Sequence, residues 1–361
     1  MTVRREHLAA LAIPCIAALA LGAVPTQAPP YVDITWMSVS NMYYELGPLH
    51  IVTDGYVSRI PRSLFFGGGG GLARTRAPRL PDVAAVTRVL SALGGPSSVD
   101  LLLTGHSHFD HSFDTGTWSK LTGARIFGSA TTCFQGLAEG LPLNRCTVVS
   151  GGETVALADG ITMHVVRWNH SGDPSVNPEQ HNSVELDSVP HVDAATGGLR
   201  AGVAEDFPNG GGNRAFLFTV DGPDGRFSWF FSNSASAVDL DTPIVVHGVN
   251  YGAPIENLAT AMRNAGLTSV DLWIGTGGAA VAQLVVPILR PRAFLPVHWD
   301  DFYAPFEAGV TKPYADTALA VFMTRSAVTV LEPRQYMDKW RLDPHGVRAI
   351  DNSAVKRMLG F

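Results

Sequence analysis

Thr104-Gly105-His106-Ser107-His108-Phe109-Asp110-His111 follows directly on Val99–Leu103, a run apolar but for Asp100 that reads as a short buried strand. In extended backbone alternate residues share a side, so His106, His108 and Asp110 converge and His111 turns in beside Asp110. Four metal-ligating side chains within six residues, delivered by a strand end, point to a metal site. Imidazole suits zinc, iron or manganese, and a carboxylate among histidines hardens a site toward binding and activating water. The alternative is a set of solvated or hydrogen-bonded loop histidines.

Outward from this stretch, strands and helices alternate. Upstream, Val32–Trp36, Met42–Leu46 and His50–Thr53 read as a meander of strands, and Pro81–Leu93 carries apolar residues at helical spacing before Gly94-Gly95. Between them Phe65–Pro81, with five consecutive glycines, reads as a surface loop. Downstream, Arg125–Phe127, Thr147–Val149, Thr154–Leu157 and Ile161–Trp168 read as strands, the last leading into Asn169-His170. Ser171–Arg214 is polar and too long for an ordinary connection, so it reads as a lid or functional insertion. A hairpin follows, Ala215–Val220 with Arg226–Phe231 across Asp221–Gly225. Helices are then expected over Ile255–Ala265 and Ala280–Leu289, and strands over Asp271–Ile274 and Ala293–Pro296, the second ending at Val297-His298-Trp299. The pattern predicts a layered α/β sandwich formed by one domain, residues 29–361. His247 is expected in a packing role, with pocket lining as the alternative, and His164 inside a strand reads as structural.

Composition narrows the function. Of 361 residues 46% are hydrophobic and only 16% charged, against about 25% charged in an average domain, which describes a core-rich chain. A formal charge of -6 provides no positive field for phosphate backbones, and a nucleic-acid partner is not expected. Arg4 and Arg5 precede the apolar stretch Leu8–Val24, and Pro25-Thr26-Gln27-Ala28 has the look of a cleavage region, so residues 1–28 read as a signal peptide. An uncleaved anchor is the alternative; with cleavage, no stable membrane association is expected. Export would place the protein in the periplasm or outside the cell, where Cys133 and Cys146 are expected to form a disulfide closing Phe134–Arg145, two buried thiols being the alternative. The serine-hydrolase elbow Gly-x-Ser-x-Gly is absent.

The complete His-x-His-x-Asp-His signature at 106–111 resembles that of the metallo-β-lactamase-fold hydrolase superfamily. Thr35-Trp36-Met37 through His50-Ile51-Val52-Thr53-Asp54, and Arg290-Pro291-Arg292 through Leu295-Pro296-Val297-His298-Trp299, are more similar to the ascorbate-phosphate lactonase and N-acyl-phosphatidylethanolamine phospholipase D branch. The resemblance implies a four-layer αββα sandwich and two metal positions. His106 and His108 would bind the first metal with His170, for which His181 is the rival. Asp110 and His111 would bind the second with His298, and Asp54 would orient the site. Zinc is the expected metal, one or two ions per chain, with manganese or iron as alternatives.

One position departs from that pattern. Members of the superfamily usually carry an aspartate that bridges both metals, and the matching stretch here, Phe230-Phe231-Ser232-Asn233-Ser234, places Asn233 among the metal positions. A neutral amide brings no charge to offset two dications, so the second ion and the number of ions are both open. The expected chemistry is attack by activated water on an ester, lactone, amide or phosphodiester, with Asp110 orienting the water or taking its proton. The substrate would be a small or lipid-like molecule. The competing reading is a metal-binding protein whose catalysis is reduced or lost through Asn233.

Overall fold

The computed structural model describes residues 28–64, 78–175, 183–197 and 212–361. The expected meander is present as β1 (Val32–Ser38), β2 (Asn41–Leu46) and β3 (Leu49–Thr53), antiparallel neighbours with Tyr44 opposite both Ile34 and Ile51. Asp82 caps helix α1 (Val83–Ala92) by accepting from Ala85 N, and the helix buries Val86, Val89 and Leu90. Strand β4 (Leu101–Leu103) lies parallel to β3 and starts two residues later than expected. Asp100 is the reason: its carboxylate accepts from His50 N, a contact outside the ladder.

Three helices then surround the first sheet, α2 (Phe109–Ser112), α3 (Thr115–Thr122) and α4 (Ala130–Ala138), with strands β5 (Arg125–Gly128) and β6 (Cys146–Val148) parallel to β4. Cys133 of α4 is bonded to Cys146 of β6, with Cα atoms 5.4 Å apart, as the sequence suggests. The second sheet is built from β7 (Thr154–Ala158), β8 (Ile161–Trp168), β9 (Asn213–Gly222) and β10 (Gly225–Ser232). The β9–β10 strands are longer than the apolar pattern suggests, leaving Pro223-Asp224 as a two-residue turn. A small hairpin, β11 (Val245–Val246) and β12 (Val249–Asn250), carries His247 at its tip. That residue is exposed, and with Gly248 it takes the positive φ angles of a two-residue turn, so it neither packs nor lines the site.

Helix α5 (Pro254–Asn264), β13 (Leu272–Gly275), α6 (Ala279–Leu289) and β14 (Ala293–Pro296) follow as expected. The remainder, α7 (Thr317–Arg325), β15 (Thr329–Val330), β16 (Asp338–Asp343), β17 (Gly346–Ile350) and α8 (Ser353–Leu359), returns the chain to β1, against which β16 pairs.

Eight strands form one sheet in the order β17-β16-β1-β2-β3-β4-β5-β6, and seven form the other in the order β15-β14-β13-β10-β9-β8-β7. They meet face to face through aromatic contacts: Tyr44 of β2 lies 5.7 Å from the Trp229 ring of β10 and 5.9 Å from Phe218 of β9. The outer face of the second sheet packs Trp168, Phe230, Trp273 and Phe294 against Leu258, Val285 and Leu319 of α5, α6 and α7. With α1, α3, α4 and α8 on the first sheet, the architecture is the four-layer αββα sandwich. Residues 1–27 of the expected signal and 65–77 of the glycine-rich loop lie outside the described residues, as do 176–182 and 198–211 of the 171–214 insertion, and with them His181. No helix among the described residues is long and apolar enough to cross a membrane.

Candidate metal centre

Strands that run the same way bring their C-terminal ends to one edge, where α/β sheets bind ligands. Here β3 and β4 are parallel, β10 is parallel to β13 and β13 to β14, and β8 shares the direction of β10 because both are antiparallel to β9. At those ends stand Asp54, the His106–His111 stretch, His170, Asn233 and His298. Asp54 and His298 both take positive φ, 59° and 62°. Such backbone costs a non-glycine residue about 1–2 kcal/mol and needs support from its surroundings. The Asp54 N–H donates to Leu103 O at 2.7 Å, and the His298 N–H donates to Val39 O at 2.9 Å, tying each turn to a neighbouring element.

Among the described residues two groups of side chains could hold a metal ion: His106 with His108 and His170, and Asp110 with His111 and His298. These are the residues singled out in the sequence, divided as the resemblance implies. The His106 and His111 rings lie 4.0 Å apart, centroid to centroid, so the groups are adjacent. In the second group Asp110 Oδ2 stands 3.1 Å from His298 Nε2 and 3.4 Å from His111 Nε2. In the first, His108 and His170 meet edge to face at 4.5 Å, and His170 Nδ1 faces the Ser171 carbonyl at 2.7 Å.

Electrostatics follow from crowding and burial. Burial and then the His111, His108 and His170 rings hold His106 well below the usual histidine range, and burial with His108 does the same to His170. Both are neutral imidazoles with a lone pair to give. Burial alone would raise the Asp110 carboxyl, but the His111, His298 and His108 rings hold it well below the usual carboxylate range. His298 is raised: burial is the largest influence and opposes its charge, but the Asp110 hydrogen bond and the Asp110 and Asp300 carboxylates together outweigh it.

The donor set fits a metal. Among the described residues His106 Nε2 and His111 Nε2 are buried with no hydrogen-bond partner, the nearest carboxylate to His111 Nε2 being Asp110 at 3.4 Å, an arrangement that costs about 1–3 kcal/mol each unless something else occupies the lone pair. Around them the support is complete. Asp54 Oδ2 accepts from Ser40 Oγ at 2.8 Å and from His111 Nδ1 at 2.9 Å, while Oδ1 accepts from Gly105 N at 3.0 Å, so Asp54 orients a ligand-type histidine through its far nitrogen. Asn233 is fully buried beside it. The structure puts this residue to a different use from the one its place among the metal positions suggests: its amide is engaged by Asp54 at 2.9 Å and by His106 Nδ1 at 3.2 Å, on the side of the rings away from Nε2.

Further residues support the site. Asp300 accepts from Val39 N at 3.0 Å and from Tyr336 Oη at 2.7 Å, bracing the His298 turn, and Phe302 covers the His298 ring at 5.4 Å. Trp299 stacks on Trp36 at 5.4 Å. Glu185, from the described part of the insertion, accepts from Arg167 Nη1 at 3.0 Å, from Arg214 Nη2 and from Ala130 N. Trp36 and Trp299 lie in the stretches quoted from the sequence, and Asp300 follows His298 by two residues.

The chain matches no protein-family model. No curated protein matches it in sequence. Solved structures similar to it include a metallo hydrolase from the hyperthermophilic archaeon Ignicoccus hospitalis, 14% identical over 87% of this chain and 99% of that one, at a TM-score of 0.47. Isothiocyanate hydrolase from Delia radicum gut bacteria is 10% identical over 85% and 98%, also at 0.47. The metallo-beta-lactamase fold protein YhfI from Bacillus subtilis is 10% identical over 86% and 99%, at 0.43. At such identities no residue role, metal or substrate transfers to this chain.

Proposed function

We propose that this protein is a metal-dependent hydrolase acting on an ester, lactone, amide or phosphodiester. One observation carries the proposal: two adjacent three-residue groups of histidine and aspartate at a strand-end edge, with two buried Nε2 atoms that have no hydrogen-bond partner among the described residues. His106, His108 and His170 would hold one ion and Asp110, His111 and His298 a second, with zinc the metal proposed and manganese or iron the alternatives. An ion bound there supplies Lewis acidity and lowers the pKa of water at the site.

This chain's own residues do the rest. Asp110, held as a carboxylate, orients a water or takes its proton. Asp54 and Ser40 fix the His111 ring, and Asp300 fixes the His298 turn. Phe109, Phe302 and Tyr303 form an aromatic wall beside His298 that excludes water and suits an apolar part of a small or lipid-like substrate. The Thr35–Asp54 and Arg290–Trp299 stretches favour the lactonase and phospholipase D side of the family resemblance. Export is the proposed location, supported by the Cys133–Cys146 disulfide, which persists in oxidising compartments.

The test is turnover of simple ester, lactone, amide and phosphodiester probes by the purified chain, before and after a chelator and again after Zn2+ is restored. Turnover that the chelator abolishes and Zn2+ restores is expected. Bound metal with no turnover of any probe would favour the binding-protein reading, and turnover indifferent to chelator would overturn the metal mechanism.

A further inference from the structure

A carboxylate can only accept hydrogen bonds, and that fact orients the buried Asn233 amide. Asn233 Nδ2 lies 2.9 Å from Asp54 Oδ2, so its N–H points at Asp54. The amide oxygen then faces His106 Nδ1 at 3.2 Å, and an oxygen that carries no hydrogen requires the proton on that nitrogen. The same Asp54 oxygen accepts from His111 Nδ1 at 2.9 Å. Both rings then carry no hydrogen on Nε2, and among the described residues both Nε2 atoms are buried without a hydrogen-bond partner, Asp110 Oδ2 lying 3.4 Å from that of His111. The chain of contacts runs from His106 of one group, through one amide and one carboxylate, to His111 of the other.

We infer that Asn233 is a positioning residue that sets His106 in the Nδ1–H tautomer, its Nε2 free for a metal ion, and couples that ring to the Asp54–His111 pair of the neighbouring group. The amide's two-sidedness is the reason for asparagine: it accepts on one edge and donates on the other. An aspartate there would set a second carboxylate 2.9 Å from Asp54, with no donor between them. Gly105 keeps the space, since a Cβ on it would lie 2.3 Å from Asn233 Nδ2. On the metal-centre reading, asparagine at this position serves the site, and an aspartate in its place would damage it.

The inference rests on the metal-centre reading, and its test separates the two. Nitrogen-15 histidine spectra of the metal-free wild-type chain should show His106 and His111 both protonated at Nδ1. In Asn233→Leu His106 should lose that fixed tautomer while His111, still held by Asp54, keeps it. Titration with Zn2+ against a competing chelator should show affinity at the His106 group about 10–100-fold weaker in Asn233→Asp, with no added ion per chain. His106 protonated at Nε2 in the wild type overturns the inference, as does a His106 tautomer unchanged in Asn233→Leu or an extra Zn2+ in Asn233→Asp. A wild-type chain that binds no Zn2+ overturns the metal-centre reading, while its spectrum still decides the role of Asn233. Because the wild-type spectrum needs no variant, failure of either variant to fold does not remove the test.

Discussion

The two groups at the strand-end edge differ in what packs around them. Around His106, His108 and His170 the supports are charged and polar: Glu185 lies between the buried Arg167 and Arg214, Arg167 comes three residues before His170, and Arg214 N donates to Gly105 O at 2.7 Å. Ser107, Ser129 and Thr132 share hydroxyl contacts of 2.7–3.2 Å beneath the same loop, and the disulfide pins α4, on which Thr132 sits. Around Asp110, His111 and His298 the carboxylates of Asp54 and Asp300 brace the His111 ring and the His298 turn, and aromatic rings pack around them. Arg59 lies over the Tyr56, Phe306 and Tyr336 rings, Tyr336 Oη donates to Asp300, and Trp299 stacks on Trp36. Buried ion pairs fail sharply when one partner is removed, whereas stacked rings lose stability contact by contact. The first group should therefore be the brittle one.

The largest expected effect tests that brittleness. Glu185→Ala leaves two buried guanidinium groups without their shared carboxylate, and urea unfolding should show a loss of about 3–5 kcal/mol, with Zn2+ leaving the His106 group before the His298 group. A midpoint equal to wild type would break the comparison. Reducing Cys133–Cys146, which spans 13 residues, should cost about 3 kcal/mol and weaken the same side.

A smaller effect depends on pH. Burial pushes the Glu139 carboxyl up to about 7, with Lys120 opposing and Asp114 reinforcing the shift, and its carboxylate fills the space left by the missing side chain of Gly116. The folded chain holds this proton where the unfolded chain has released it, so stability falls as pH rises toward and through 7. Glu139→Gln should be on the order of 2 kcal/mol more stable than wild type at pH 8.5 and match it at pH 5, by thermal unfolding at both values. On the aromatic side, Tyr336→Phe removes one charge-assisted hydrogen bond and should cost only about 1–2 kcal/mol. A larger loss than in Glu185→Ala would reverse the comparison.

How much of this was legible in the sequence follows from how local each feature is. The strand into His106–His111 and the strands that end at His170 and His298 are apolar runs followed by a polar break, a pattern readable residue by residue. Helices α3 and α4 were not, because Thr115–Thr122 and Ala130–Ala138 are rich in threonine, contain glycine and show little apolar stripe; the Ser129 cap, which accepts from Thr132 N, was the one local signal. Asn233 was singled out in the sequence, but its contact with Asp54 was not legible there, because the two lie 179 residues apart. Glu185 meets its two arginines across 18 and 29 residues and Tyr336 meets Asp300 across 36, pairings that the fold makes and that no motif marks.

The central claim is that these two groups each hold a metal ion. Elemental analysis of Zn2+ per chain in wild type, His106→Ala and His298→Ala, all purified without chelator and confirmed as folded, tests it most directly. The account predicts about two ions in the wild type and about one in each variant. A wild-type chain without metal, or variants that keep the wild-type content, would contradict it.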